Sequence, residues 1–341
     1  MAENATDNNV SIGKDDAFVQ LTFSKNTVYE NEGILATFKL YISNKISNVV
    51  HVGKLVYPEF NGFMVEDIEL PKNRNFNKDI YNNKQYNTTL LRQCILFPQC
   101  SGSVTVGQGL YNMTFQVKSV NNRSAHNMFD DFFTTYENIE KQIESPEKEV
   151  NVKPFPDNPP VQFSGAAGNF QVEASIDTTT ISYGDSVKIT LTISGTGNIK
   201  QISPPEVISS DSYTLKTNVL KTEVATSETG VSGSKVIEYT FIPRSGNLMN
   251  ITIPGFAFWD LKNRSYQVED DIRYLVEVTG NPEETTPVQV ADNDVDRSAE
   301  SILANIKHLD YKKITLYVVS ALLILLIIFY IGYVIGKNKK N

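Results

Sequence analysis

The stretch LATFKLYI, residues 35–42, decides how this chain is read. Ala36, Phe38, Leu40 and Ile42 fall on one face of an extended strand and Leu35, Thr37, Lys39 and Tyr41 on the other, because successive strand side chains point to opposite sides. Working outward, Val19, Leu21 and Phe23 alternate with polar residues, and the runs at 172–176, 187–193, 236–242 and 273–278 repeat the pattern. All are short, rich in Thr, Val, Ile and Tyr, and separated by Gly, Asn, Pro and Ser. Helical periodicity is nearly absent between Phe18 and Val278, so the pattern predicts an all-β chain of tandem immunoglobulin-like antiparallel β-sandwiches.

The two halves resemble each other. A shift of 153 residues lays residues 25–32 over 178–185, and each is followed by an alternating strand, 34–40 or 187–193. Leu96-Phe97-Pro98 with Ser101-Gly102 matches Phe241-Ile242-Pro243 with Ser245-Gly246, one residue shorter. A strand that stops at proline and turns through Ser-Gly therefore recurs, as in a duplicated domain. The boundary falls at VKPFPDNPPV, residues 152–161, whose four prolines predict a stiff, extended linker. The expected organisation is a disordered N-terminus (1–14), a first sandwich (15–153), a second (161–280), an acidic linker (281–312), a transmembrane helix (314–336) and a basic tail (337–341). Residues 125–148 look less strand-like and read as a short helix or a surface loop. Ile302, Leu303, Ile306 and Leu309 lie at helical spacing and read as a juxtamembrane helix, as a continuation of the membrane helix, or as disorder.

Residues 314–336 contain no charged side chain and are followed by Lys337, Lys339 and Lys340. As a helix this run spans about 34 Å, enough for a hydrocarbon core of about 30 Å. Ile314, Leu316, Leu322, Leu325, Phe329 and Val334 are the expected lipid-facing anchor. Lys307, Lys312 and Lys313 before the run balance the three lysines after it, so the charge rule chooses no side. Residues 1–15, MAENATDNNVSIGKD, have neither the basic start nor the apolar centre of an export signal. The residues alone leave open a start further upstream or a tail anchor with the body in the cytosol.

Composition narrows the chemistry. The formal charge is −8, and removing the three tail lysines makes the body −11, which disfavours nucleic acid as a partner. Cys94 and Cys100 are six residues apart, about 20 Å in a straight strand, and read as two free, partly buried thiols unless Pro98 bends the chain. His51, His126 and His308 are scattered, and no cluster has metal-ligand spacing. Asp292, Asp294 and Asp296 imitate a calcium loop, but Arg297 and Leu303 occupy the glycine and glutamate positions. No catalytic motif and no cofactor is expected. Two glycine clusters, Gly165 to Asn169 and Gly195 to Asn198, read as tight turns needing positive φ. Trp259, with Phe256, Phe258 and Tyr266, reads as core filling or an interface, with a sugar-stacking face as the alternative.

The order and spacing of Ser24-Lys25, Val28-Tyr29, Lys39-Leu40-Tyr41, Leu96-Phe97-Pro98-Gln99, Val152-Lys153-Pro154, residues 163–170, Gly195-Thr196-Gly197-Asn198 and residues 239–246 resemble the BatD family of bacterial oxygen-tolerance proteins over about residues 15–280. The resemblance implies tandem immunoglobulin-like domains in the periplasm, an inner-membrane anchor with a cytoplasmic tail, and genes nearby for membrane proteins with von Willebrand A domains and for a MoxR-type ATPase. Family members usually add a signal peptide and another β-domain ahead of the one that starts near Asp15. The expected function is a non-catalytic, membrane-anchored scaffold that holds von Willebrand A partners, with an indirect link to the ATPase. Its partner surface is expected at one loop-rich end of the second sandwich, at Gly165, Gly168, Asn169, Gly195, Gly197 and Asn198, with Trp259. A surface adhesin or carbohydrate-binding module, and a thiol-based redox protein using Cys94 and Cys100, are the alternatives.

Overall fold

A computed structural model describes residues 11–72, 75–118 and 136–280. The described chain is all-β, relieved only by a single 3-10 turn at Ile199–Gln201. In the first half, strands β1 (Ala17–Phe23), β3 (Ile34–Ser43), β7 (Lys84–Pro98) and β5 (Phe63–Ile68) lie side by side in that order, and β6 (Asn77–Tyr81) pairs with the other end of β7. A second sheet runs β2 (Thr27–Tyr29), β11 (Lys148–Lys153), β8 (Gly102–Val106), and a third β10 (Tyr136–Glu144), β9 (Leu110–Lys118), β4 (Ile46–Val56). The alternation in β3 works as read: Ala36, Phe38, Leu40 and Ile42 are buried against Val19 and Leu21 of β1 and Tyr111, Met113, Phe115 and Val117 of β9. Each such aliphatic or phenylalanine side chain removed from water contributes about 1.5–3 kcal/mol, which is why these faces close on one another.

The second half contains β12 (Phe163–Ile176), β13 (Thr180–Ser182), β14 (Val187–Gly197), β15 (Tyr213–Ser227), β16 (Gly230–Pro243), β17 (Leu248–Ile253), β18 (Ala257–Asp260), β19 (Ser265–Val268) and β20 (Ile272–Thr279). A six-stranded sheet, β15-β16-β14-β12-β18-β19, faces a three-stranded one, β13-β20-β17. Ile189, Leu191, Ile237 and Tyr239 from the large sheet meet Met249, Ile251, Val276 and Val278 from the small one in a single core. That makes a β-sandwich.

The 153-residue shift is present in the strand pairing. Phe23 pairs with Ala36 and Ile176 with Ile189, each 153 residues on. β2 runs parallel to β11 through Val28, and β13 parallel to β20 through Ile181, again 153 residues on. Leu96 opposes Ile34 as Phe241 opposes Val187, and Phe63 opposes Pro98 as Tyr213 opposes Pro243. The missing residue in the second half lies after the proline, where Gln99 and Cys100 separate Pro98 from Ser101 and Arg244 alone separates Pro243 from Ser245. β7 carries a bulge opposite Phe38 and Lys39 that places Leu91 outside the ladder, whereas β16 pairs with β14 without a shift.

Two expectations are corrected. The helix or loop expected at 125–148 contains strand β10 over Tyr136–Glu144 and the start of β11, while 125–135 lies outside the described residues. Ile139, Lys141 and Ile143 point inward, and the central lysine hides the alternation because its ammonium group donates to the carbonyls of Ile12 and Gly13 at 2.5 and 2.7 Å. The second concerns the glycines of the second half. Gly168, Gly195 and Gly197 are not in turns but inside β12 and β14, which pair through Gly168↔Gly197 and Phe170↔Gly195. The linker at 281–312 and the anchor with Ile314, Leu316, Leu322, Leu325, Phe329 and Val334 lie outside the described residues, among which no helix is long and apolar enough to cross a membrane.

Candidate functional site

Strand β7 shows where the two sandwiches meet. From Gln93 to Pro98 every residue is buried. A strand buried on both faces has partners on both faces. Cys94 and Leu96 point into the first core, while Ile95 and Phe97 point the other way and join Leu35, Met64 and Ile68 around Val231 of β16 and Val224 of β15. The tip of the second sandwich's longest hairpin is thus seated on the outer face of the first sandwich's central sheet.

An aromatic cluster closes the other side of the contact. Tyr29 of β2 packs on Trp259 of β18 with centroids 5.2 Å apart, and Phe155 from the proline segment stacks parallel on Tyr29 and meets Phe163 edge-on at 4.9 Å. Tyr266 packs edge-on against Trp259 and donates its hydroxyl proton to the Pro156 carbonyl at 2.7 Å. The proline segment is therefore pinned to the second sandwich. Trp259 is 3% exposed, and its indole N–H has no acceptor among the described residues, so it contributes packing rather than a hydrogen bond.

Between these apolar patches lies a polar seam. The Asn31 side chain, on a residue at φ 58° that asparagine tolerates, donates to the Gly165 carbonyl at 2.9 Å. The same carbonyl accepts the Asn198 amide at 3.1 Å, and the Asn198 side-chain oxygen accepts the Ala167 N–H at 2.9 Å. Gln99 donates to the Asn31 side chain and accepts from Gln201 at 2.6 Å. Glu66 of β5 receives the Lys200 ammonium group at 2.6 Å, with the glutamate side chain 11% exposed. Behind it Lys235, itself buried, donates to the carbonyls of Lys200 and Ile202 and so holds the turn that carries Lys200 and Gln201. Burial lowers the Lys235 ammonium pKa. No carboxylate is hydrogen-bonded to it among the described residues.

The glycine ladder lets two backbones approach where the seam is built. A Cβ on Gly168 would lie 2.0 Å from the Thr196 oxygen, on Gly195 2.1 Å from the Asn169 oxygen, and on Gly197 2.3 Å from the Ala167 oxygen. All three have positive φ, so glycine is required twice over. Of the residues expected to bind a partner, Gly165, Asn198 and Trp259 are used inside the molecule, Gly168, Gly195 and Gly197 hold the paired strands, and Asn169 alone is an exposed side chain. Sequence reasoning missed Ile95, Phe97, Glu66, Lys235 and Phe155. The continuous apolar run Cys94-Ile95-Leu96-Phe97 was the available signal, since a strand with one wet face would alternate.

The alternatives fare unequally. A sugar platform needs exposed rings, but Phe256, Phe258 and Trp259 are all buried. Both cysteines are free, with Cys94 buried, its thiol pushed up to about 12 by desolvation, and Cys100 exposed. A thiol so rarely ionised is a poor redox nucleophile. Among the described residues no group of three His, Cys, Asp or Glu side chains is placed to hold a metal ion.

A sizeable accessible concavity lies elsewhere, in the second sandwich. A cleft of about 790 Å³ runs between β17, contributing Asn250 and Thr252, and the proline-bearing segment 203–210 that precedes β15. Tyr213 and Phe256 form its buried floor, and Val161 at 99% exposure and Ile208 at 80% form its lips. Its lining includes Glu206 and Asp271 and no lysine or arginine.

No protein-family model matches the chain, and no curated protein matches it. Among solved structures it is similar to the type II cohesin dyad from the adaptor ScaA scaffoldin of Acetivibrio cellulolyticus, at 8% identity over 69% of this chain and 88% of that one, with a TM-score of 0.20. It is similar also to the adhesin InvE of Yersinia pseudotuberculosis, at 11% identity over 80% and 62%, with a TM-score of 0.22. A third is the collagen adhesin of S. aureus, at 10% identity over 78% and 94%, with a TM-score of 0.18. Likenesses this remote assign neither a ligand nor a partner.

Proposed function

We propose that this chain is a non-catalytic binding protein in which two immunoglobulin-like sandwiches act as one stiff body, anchored to the bacterial inner membrane by residues 314–336 and presenting a partner surface on the second sandwich. The observation that carries the reading is the joint. Ile95, Phe97, Tyr29, Phe155 and Trp259 sit beside the Asn31, Gln99, Asn198 and Gln201 seam, so the two halves are packed together instead of strung on a free linker. A stiff body suits a scaffold, because a partner held at its far end is held at a set place relative to the membrane. The immunoglobulin-like assignment is supported by the way β12 and β13 divide between the two sheets, the second pairing in parallel with the last strand, β20. The resemblance to BatD supplies the partner class, membrane proteins with von Willebrand A domains, and a periplasmic placement of the body.

Co-purification from mild detergent tests this. The full chain is expected to bring down von Willebrand A proteins, and Trp259→Ala, which loosens the joint, to bring down several-fold less. A chain that emerges alone under several mild detergents overturns the reading.

A further inference from the structure

β17 is the edge strand of its sheet, and its free edge faces the cleft. The Val278 N–H donates to the Asn247 carbonyl at 2.9 Å, which makes 247 and 278 a hydrogen-bonded pair. Antiparallel pairs alternate, so by the register Met249↔Val276, Ile251↔Tyr274 and Ile253↔Ile272 bond across the ladder, and the N–H and C=O groups of Leu248, Asn250 and Thr252 point away from β20. Among the described residues no backbone group pairs with that outward edge. The segment opposite, 203–210, forms no ladder with it, and Pro204 and Pro205 have no N–H to offer.

In the first sandwich the matching edge strand is β8, and there the matching segment closes in. Gly62 lies so near β8 that a Cβ on it would sit 3.3 Å from Val104, and Tyr57 and Phe60 stack edge-on against Phe38. In the second sandwich the matching segment sends Val207 into the core and its Pro205 carbonyl accepts the Tyr239 hydroxyl, but it leaves the cleft beside β17 open.

We propose that the cleft beside β17 takes an extended polypeptide segment of a partner protein by strand addition, with apolar side chains packed between Val161, Ile208 and Phe256 and a lysine or arginine facing Glu206 and Asp271. Main-chain bonds to Leu248, Asn250 and Thr252 supply register, while the apolar floor supplies the anchor. Charge fixes the partner's chemistry. The lining carries two carboxylates and no cation of its own, and although Arg273 pairs with Asp271 from outside the cleft, Glu206 is exposed on the rim. The inference names the mode of contact for the partner surface proposed above, and it rests on that reading.

The test uses the full chain in detergent and a defined probe, the capped peptide Lys-Val-Thr-Val-Thr-Val-Thr-Lys, with a second probe carrying Glu in place of both Lys. The lysine probe is expected to bind and to slow amide hydrogen exchange about tenfold or more at Leu248, Asn250 and Thr252, leaving Val104 and Val106 of β8 unchanged. The glutamate probe is expected to bind about tenfold more weakly at low salt. Asn250→Pro removes an outward-facing N–H that no ladder bond uses, on an edge strand where the proline ring is tolerated, and is expected to abolish the protection. Ile208→Asp, on a side chain too exposed to matter for folding, is expected to weaken binding about tenfold. Failure of the lysine probe to bind, or binding without slowed exchange at those three amides, overturns strand addition. If von Willebrand A proteins still co-purify in that case, the broader binding function survives and only its proposed contact falls.

Discussion

The two sandwiches share a plan and spend it differently. Each has the same short parallel strand beside its last strand, the same 153-residue offset in pairing, and the same proline-terminated central strand. In the first, residues 57–62 fold back on β8, and the outer face of β7 is given to its neighbour. In the second, the corresponding edge stays open on a cleft, while its glycine ladder and hairpin tip are given to the joint. One register position makes the contrast concrete: Ala17↔Ile42 in the first is Phe170↔Gly195 in the second. The first carries the bulk of that pair on Ile42; the second carries it on Phe170 across the ladder and leaves glycine at 195, so that the backbones can approach there. A duplicated fold is thus specialised by side chains at a few equivalent positions, and by a β7 bulge and a separate β10-β9-β4 sheet that the second sandwich does not repeat.

The contrast can be broken most strongly at Trp259. Trp259→Ala removes a buried indole between Tyr29, Phe155 and Tyr266 and is expected to cost about 3–5 kcal/mol. Scanning calorimetry should then show the single transition of the intact protein divide into two. Next comes the ladder. Gly195→Ala places a Cβ against the Asn169 carbonyl at positive φ and should cost about 2–4 kcal/mol, whereas Ile42→Val at the equivalent position of the first sandwich should cost about 0.5–1.5 kcal/mol by urea unfolding. Equal losses at the two sites would remove the specialisation.

Smaller effects sharpen it. Lys200→Ala leaves the mostly buried Glu66 without its ammonium partner. Because the lysine is 41% exposed the cost is expected to be only about 1 kcal/mol, and it should shrink in high salt. Asp260 accepts the N–H groups of Asn263 and Lys262 and the Asn263 side-chain amide, and these bonds hold its carboxyl below the usual carboxylate range. A carboxyl depressed by folding stabilises fully above its unfolded pKa, and that stability is lost as pH falls through the folded value. Asp260→Asn should therefore destabilise at pH 7, and its effect should shrink progressively as the pH is lowered through and below the ordinary aspartate range, as read from urea midpoints at each pH. An effect that does not change with pH would show that the carboxylate charge does not hold this turn.

Much of the fold was legible because its signals are local. The alternation at 35–42, the proline stops at Pro98 and Pro243 and the repeat offset depend on neighbours in sequence, and each has its counterpart in the strand pairing. β10 was not legible, because an inward lysine paired with carbonyls more than a hundred residues away breaks its pattern. The joint was legible only in fragments. Trp259 reads from sequence as core filling or an interface, and it is buried as such, whereas Gly165 and Asn198, expected at a partner surface, bind this same chain through Asn31; nothing near them in sequence announces these contacts. The cleft left no sequence signal, since it depends on how an irregular segment, 203–210, packs beside β17, and the matching residues 57–62 are equally irregular.

The claim that the joint makes one rigid body is tested most directly by pulsed electron resonance between nitroxides on Cys100, the exposed native thiol of the first sandwich, and on Ser245→Cys in the second. Cys94 is buried with a poorly ionised thiol and should stay unlabelled. A single narrow distance distribution that broadens in Trp259→Ala is the predicted result. A distribution already broad in the otherwise intact chain would contradict it.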